Sequence, residues 1–79
     1  MSRYFFHLNE NGRLLEDFEG LECASQEEAL AVATKNARDV MVGDLREGRL
    51  CLDCFIAVAD SSNRELARLS FREAVSITG

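Results

Sequence analysis

Residues 25–48, SQEEALAVATKNARDVMVGDLREG, decide the fold. Ser25 can accept the first free amides of a helix, and Glu28 can reach back to the Ser25 amide. Glu27 and Glu28 also put acids at the positive end of the helix dipole. The apolar positions that follow are Ala29, Leu30, Ala33, Ala37, Val40, Met41 and Leu45. Their spacings of three and four make one stripe. Lys35, Arg38, Asp39, Arg46 and Glu47 fall mostly off it. Gly48 supplies a left-handed stop. This pattern predicts one long helix over about residues 26–47. Gly43 weakens its interior by ~1 kcal/mol relative to Ala. The alanines on the stripe would let the helix lie close to a sheet.

Upstream, Arg3 to Asn9 is aromatic and apolar, which suits a strand. Tyr4, Phe6 and Leu8 would share one face, with Arg3, Phe5 and His7 on the other. Asn9-Glu10-Asn11-Gly12 is a turn signal. A second strand is predicted from Leu14 to Glu22. There Leu15 and Leu21 share a face with Asp17 and Glu19, so a bulge is expected around Phe18 to Gly20. Downstream, Cys54 to Ala59 is apolar on both faces, which places it in the centre of the sheet or beneath a partner. Asp60 to Arg64 is a turn, and Glu65 to Phe71 a fourth strand. Ala67, Leu69 and Phe71 would lie on one side of it, and Leu66, Arg68 and Ser70 on the other. Residues 72–79 read equally well as a strand extension or a last helical turn.

The order is β-β-α-β-β. The expected class is α+β, a four-stranded antiparallel sheet with the helix packed on one face. One face of that sheet is left without a second layer. It would carry Phe5, His7 and one side of each later strand. The chain has 79 residues, room for a single domain over 1–79.

Charge narrows the partners. Nine basic residues stand against fourteen acidic ones, a net charge of −5. Phosphate backbones and anionic membranes both select for clustered Lys and Arg, so neither nucleic acid nor membrane is an expected partner. No apolar run approaches the ~20 residues of a membrane helix. No basic, then apolar leader follows Met1, and the three cysteines are an odd number. The expectation is a cytoplasmic protein with reduced thiols.

Four sets of residues could carry chemistry. Cys51-Leu52-Asp53-Cys54 is a C-x-x-C, but it follows a helix and enters a strand. It therefore lacks the helix N-terminus that activates such pairs in redox sites. His7, Cys51 and Cys54 could meet at one end of the sheet, yet a structural zinc site needs four ligands. Cys23 is excluded from that set, because the intervening helix spans about 33 Å. His7 has no recognisable nucleophile beside it to serve as a base. Glu16, Asp17, Glu19 and Glu22 fall on both faces of a strand, which reads as a solvated, edge-protecting run. In Tyr4-Phe5-Phe6 only Phe5 would stay on the open face, so core packing is preferred over base stacking. No catalytic residue, metal, cofactor or small-molecule substrate is expected.

Several stretches nevertheless look familiar. Arg3-Tyr4-Phe5-Phe6-His7-Leu8, Asp17-x-Glu19-Gly20-x-Glu22, the Ala-rich helix and Leu69-x-Phe71-x-x-Ala74 together resemble a family of short uncharacterised alphaproteobacterial proteins, catalogued as a domain of unknown function. The resemblance spans nearly the whole chain, and its most specific part is the R-Y-F-F-H opening. The Cys51/Cys54 pair lies outside its pattern. It implies a self-standing bacterial cytoplasmic domain and assigns no activity or site.

The functional expectation is a non-enzymatic protein-interaction module, a homodimer through its sheet, with Arg3, Phe5 and His7 on the interaction surface. An alternative is an antitoxin-like or regulatory protein that binds another polypeptide, on fold analogy alone. A metal or thiol role for His7, Cys51 and Cys54 is the third reading.

Overall fold

The structure is a computed structural model that describes residues 1–79. Its elements are β1 (Ser2–Glu10), β2 (Arg13–Leu15), β3 (Leu21–Cys23), α1 (Gln26–Arg46), β4 (Phe55–Ala59) and β5 (Glu65–Ser70), followed by a 3-10 turn over Arg72–Ala74. The sheet order is β2-β1-β4-β5, with β3 also paired to β1, and every pairing is antiparallel. The α+β class, the single long helix and the central place of the third predicted strand all hold.

α1 starts as its sequence dictates. Ser25 is extended, and its hydroxyl accepts the Glu28 N–H at 3.1 Å. The reciprocal arm of the capping box is not made. At the other end Gly48 has φ +80°, its N–H donates to Leu45 O, and Arg49 N–H donates to Asp44 O. That paired closure satisfies two orphan carbonyls. Ala29, Ala33, Ala37 and Met41 form the buried face, one per turn. Leu30 and Val40 pack beside them, whereas Leu45 is 56% exposed. The helix, about 31 Å long, outruns the five-residue β4, so its last apolar turn has no strand beneath it.

The core lies between α1 and the sheet. Ile56 and Val58 of β4 meet the helix alanines, with Tyr4, Phe6, Leu8 and Leu69 around them. Phe71 is 0% exposed and is the largest fully buried side chain. The tail resolves as the 3-10 turn, which seats Ala74 in the core. Arg38 Nε of α1 donates to Ala74 O at 2.7 Å and ties that turn to the helix. At the rim of β5, the Glu73 carboxylate accepts the Ser70 N–H at 3.1 Å.

The turn after β1 carries positive φ at both Asn11 and Gly12, the two-residue hairpin geometry that Asn-Gly favours. A bulge at Val58/Ala59 shifts the register of β4 against β5.

Two expectations need correction. The strand predicted from Leu14 to Glu22 is two short ladders, β2 and β3, and the chain leaves the ladder between them. The reduced-thiol expectation also fails, because Cys51 and Cys54 form a disulfide across a Cα–Cα distance of 5.7 Å. Cys23 alone is free, and it is buried. Burial pushes its thiol up from the usual range, and the nearby Glu28 adds to this.

Candidate functional site

The sheet face away from α1 is built from alternate residues of three strands. Phe5, His7 and Asn9 of β1 stand opposite Ala59, Ala57 and Phe55 of β4, and Ala57 stands opposite Arg68 of β5. Small residues on β4 sit between larger ones on its neighbours. The rings of Phe5 and His7 are parallel to within 6°, their centres 6.4 Å apart along one strand. The Arg68 guanidinium lies 4.5 Å from the centre of the Phe55 ring, and its Nε donates to Glu65 at 2.7 Å. These side chains roof Ala57 and Ala59, which are nearly inaccessible although no helix covers them.

Segment 16–20 closes one flank of this face. Where the chain leaves β1, the Asp17 carboxylate replaces the missing ladder. One oxygen accepts the Phe6 N–H, and the other accepts the N–H groups of Glu19 and Gly20, each at 3.1 Å. The Asp17 N–H in turn donates to His7 Nδ1 at 3.1 Å. Arg3 donates to Glu19 O at 2.7 Å and approaches Glu22 at 3.9 Å. Gly20 is required here. Its φ is +69°, and a Cβ would lie 2.8 Å from Tyr4 O and 2.9 Å from the Phe5 ring.

Two electrostatic forces compete at Asp17. Partial burial works to raise its carboxyl, but the Gly20, Phe6 and Glu19 amides, with His7 close by, outweigh it and hold it below the usual carboxylate value. Three hydrogen bonds to the charged form are enough to do this.

The geometry also decides what His7 can do. Its Nδ1 lone pair is engaged by a backbone N–H, so in the neutral ring Nε2 carries the proton. Nε2 is buried and has no partner. Neither nitrogen is placed to take a proton from a substrate.

Of the sequence-predicted surface, Phe5 and His7 are together on the open face, and Arg3 is engaged at the edge. His7 does not meet Cys51 and Cys54. It lies on the open face, whereas Cys54 belongs to the core beneath α1. No three His, Cys, Asp or Glu side chains converge to hold a metal ion. Among the four acids read as a solvated edge, Asp17 is the exception, as the internal cap of the segment. Phe18 went unnoticed in sequence as a surface feature. It projects from the 16–20 segment with 82% exposure, beside Phe5 and His7. The signal for both was present in Asp17-x-x-Gly20, an acid followed by a left-handed glycine, which favours a side-chain-capped turn over a strand.

No curated protein and no solved structure matches this chain. The sequence profile of the domain of unknown function DUF6894 matches residues 3–72, from the start of β1 to the 3-10 turn. Those residues include both hairpins, the capped helix and the Asp17 segment. The chain therefore belongs to the DUF6894 family.

Proposed function

We propose that this domain is a non-enzymatic protein-interaction module of the bacterial cytoplasm that pairs with a second copy of itself through the open sheet face. The observation that carries this reading is an aromatic, arginine-bearing face with no second layer, flanked by two exposed apolar side chains, Phe18 and Leu14. Apolar groups gathered at the margin of one face are the usual mark of an interface.

The face carries both signs of charge. Arg68 stands near Glu16 and Glu65, and Asp60 lies at the margin. A two-fold interface needs a patch complementary to itself, and a mixed patch meets that condition. Phe5 and His7 would sit near the centre of the contact. Phe18 would act as an anchor and Arg3 would remain at the edge. Each copy has a net charge of −5, so screening by salt should favour association.

Light scattering coupled to size exclusion tests this directly. The expected result is a dimer whose fraction grows with protein concentration and with salt. Phe18→Arg should return it to monomer with the helical circular dichroism intact. Phe18 is the better probe than Phe5, whose ring packs over Gly20. A monomer at every concentration and salt would overturn the reading.

A further inference from the structure

We propose that Cys51–Cys54 is a thiol–disulfide exchange centre, with Cys51 as the sulfur engaged by a low-molecular-weight thiol and Cys54 as the resolving sulfur. It stands apart from the open face and does not depend on the self-association reading.

Four observations carry it. First, the two sulfurs differ in access. Cys54 is 2% exposed within the core, whereas Cys51 is partly open and lines a cleft of about 750 Å³. The cleft lies where the β1–β2 turn meets the segment after α1, with Asn11, Arg13, Leu50 and Leu52 among its walls. That is the size of a small-molecule site. Exchange requires an approach to one sulfur, and here one is reachable and the other is not.

Second, the frame around the pair does not depend on the S–S bond. Phe71 N–H donates to Cys54 O at 2.8 Å, and Arg72 N–H donates to Leu52 O at 3.2 Å. Arg72 also pairs with Asp53 at 3.4 Å. Reduction would therefore leave both sulfurs in position to close again. Third, the reduced state has a ready partner. Asn11 Oδ1 lies 3.7 Å from Cys51 Sγ, an acceptor that only a thiol can use. Fourth, the bridge spans a sequence separation of only three. A cross-link constrains the unfolded chain less as its loop shortens, so this one is poorly suited to serve as a structural staple.

The chemistry balances with two equivalents of thiol. A thiolate attacks Cys51 Sγ, the S–S bond breaks, and Cys54 Sγ leaves with the electron pair and takes a proton. A second thiolate attacks the small-molecule sulfur of the mixed disulfide and releases Cys51, which is protonated in turn. The protein gains two electrons and two protons, and two thiols become one disulfide. Oxidised small-molecule disulfide drives the same steps in reverse.

Glutathione is the probe, with intact and peptide mass spectrometry as the readout. In the reduced, folded protein, alkylation should reach Cys51 roughly tenfold or more faster than Cys54, because access governs the rate. With oxidised glutathione, Cys54→Ser should accumulate one adduct on Cys51, while Cys51→Ser stays unmodified. The reduced wild type should instead close its own disulfide. Native labelling of the wild type needs no substitution, so a variant that fails to fold leaves the test standing. Equal rates at the two sulfurs would overturn the proposal. So would a bridge that no ratio of reduced to oxidised glutathione opens without denaturant. Labelling of the fully buried Cys23 alongside them would show that unfolding, not the cleft, admits the reagent, and would overturn it as well.

Discussion

The two flanks of the sheet are held by different forces. On the β4–β5 side, order comes from backbone ladders and apolar burial, with Ile56, Val58 and Phe71 sealed against α1. On the β1 flank, the chain breaks its ladder between Leu15 and Leu21, and one carboxylate gathers the freed amides. The first arrangement rests on apolar contacts and ladders, with carboxylates only at its turn and rim, Asp60 and Glu73. The second depends on one side chain in one protonation state. The flank that bears Phe18 is thus the one whose shape can be changed without dismantling the core.

The largest effect should come from the buried flank. Phe71→Ala should cost about 3–5 kcal/mol, as deletions of buried aromatics do. That is a large part of the ~4–12 kcal/mol expected for a domain of this size. Urea denaturation would measure it, and a loss below ~1 kcal/mol would mean that the core does not close on this ring.

Gly20→Ala and Asp17→Ala break the other flank. The first combines a left-handed φ with contacts under 3 Å to β1, a strain of about 1–3 kcal/mol. The second orphans three amides and should cost a similar ~1–3 kcal/mol. Hydrogen exchange separates local from global loss. In Asp17→Ala, the Phe6 and Gly20 amides should exchange faster, while those of β4 keep their protection.

Acid should reproduce that change reversibly. The folded value of Asp17 lies below its unfolded value of about 3.9. Its contribution is therefore complete above the unfolded value and disappears as pH falls through the folded one. Asp60 and Glu73 are depressed in the same direction, each chiefly by a backbone hydrogen bond, from Arg64 and Ser70 respectively. Acid should thus loosen strand ends and edges first. NMR titration of the carboxylates would check the order, and a midpoint for Asp17 at or above the ordinary value would refute the cap.

The smallest effects sharpen the contrast from neutral ground. Ser25→Ala should cost ~1 kcal/mol through the lost helix cap. Gly43→Ala should stabilise by about 0.5–1 kcal/mol, because nothing lies within 4 Å of the added Cβ. Thermal melts would record both. Neither should alter exchange at the Asp17 segment.

The legible parts of the sequence were those governed by period. The helix stripe, its Ser25 and Gly48 boundaries and the alternation in β1, β4 and β5 follow from side-chain geometry repeated over several residues. The 16–20 segment has no period, because a side chain does there what a ladder does elsewhere. Alternation read through it produces one strand in place of two. The Cys51–Cys54 bond was hidden for a related reason. A spacing of three permits many loop shapes, and contacts with the 3-10 turn, distant in sequence, select this one. His7 was placed on the correct face, but its tautomer depends on the Asp17 amide, which strand periodicity would have aimed elsewhere.

The rims of the sheet have one more consequence. Glu73 occupies the Ser70 amide at the β5 margin, and on the opposite margin β2 and β3 are three residues each, with the Asp17 carboxylate between them. Blunted margins discourage strand-by-strand growth. Copies paired as proposed would stack face on face, an arrangement that is finished at two. Sideways extension into filaments is disfavoured from both directions, so concentrated protein should remain clear.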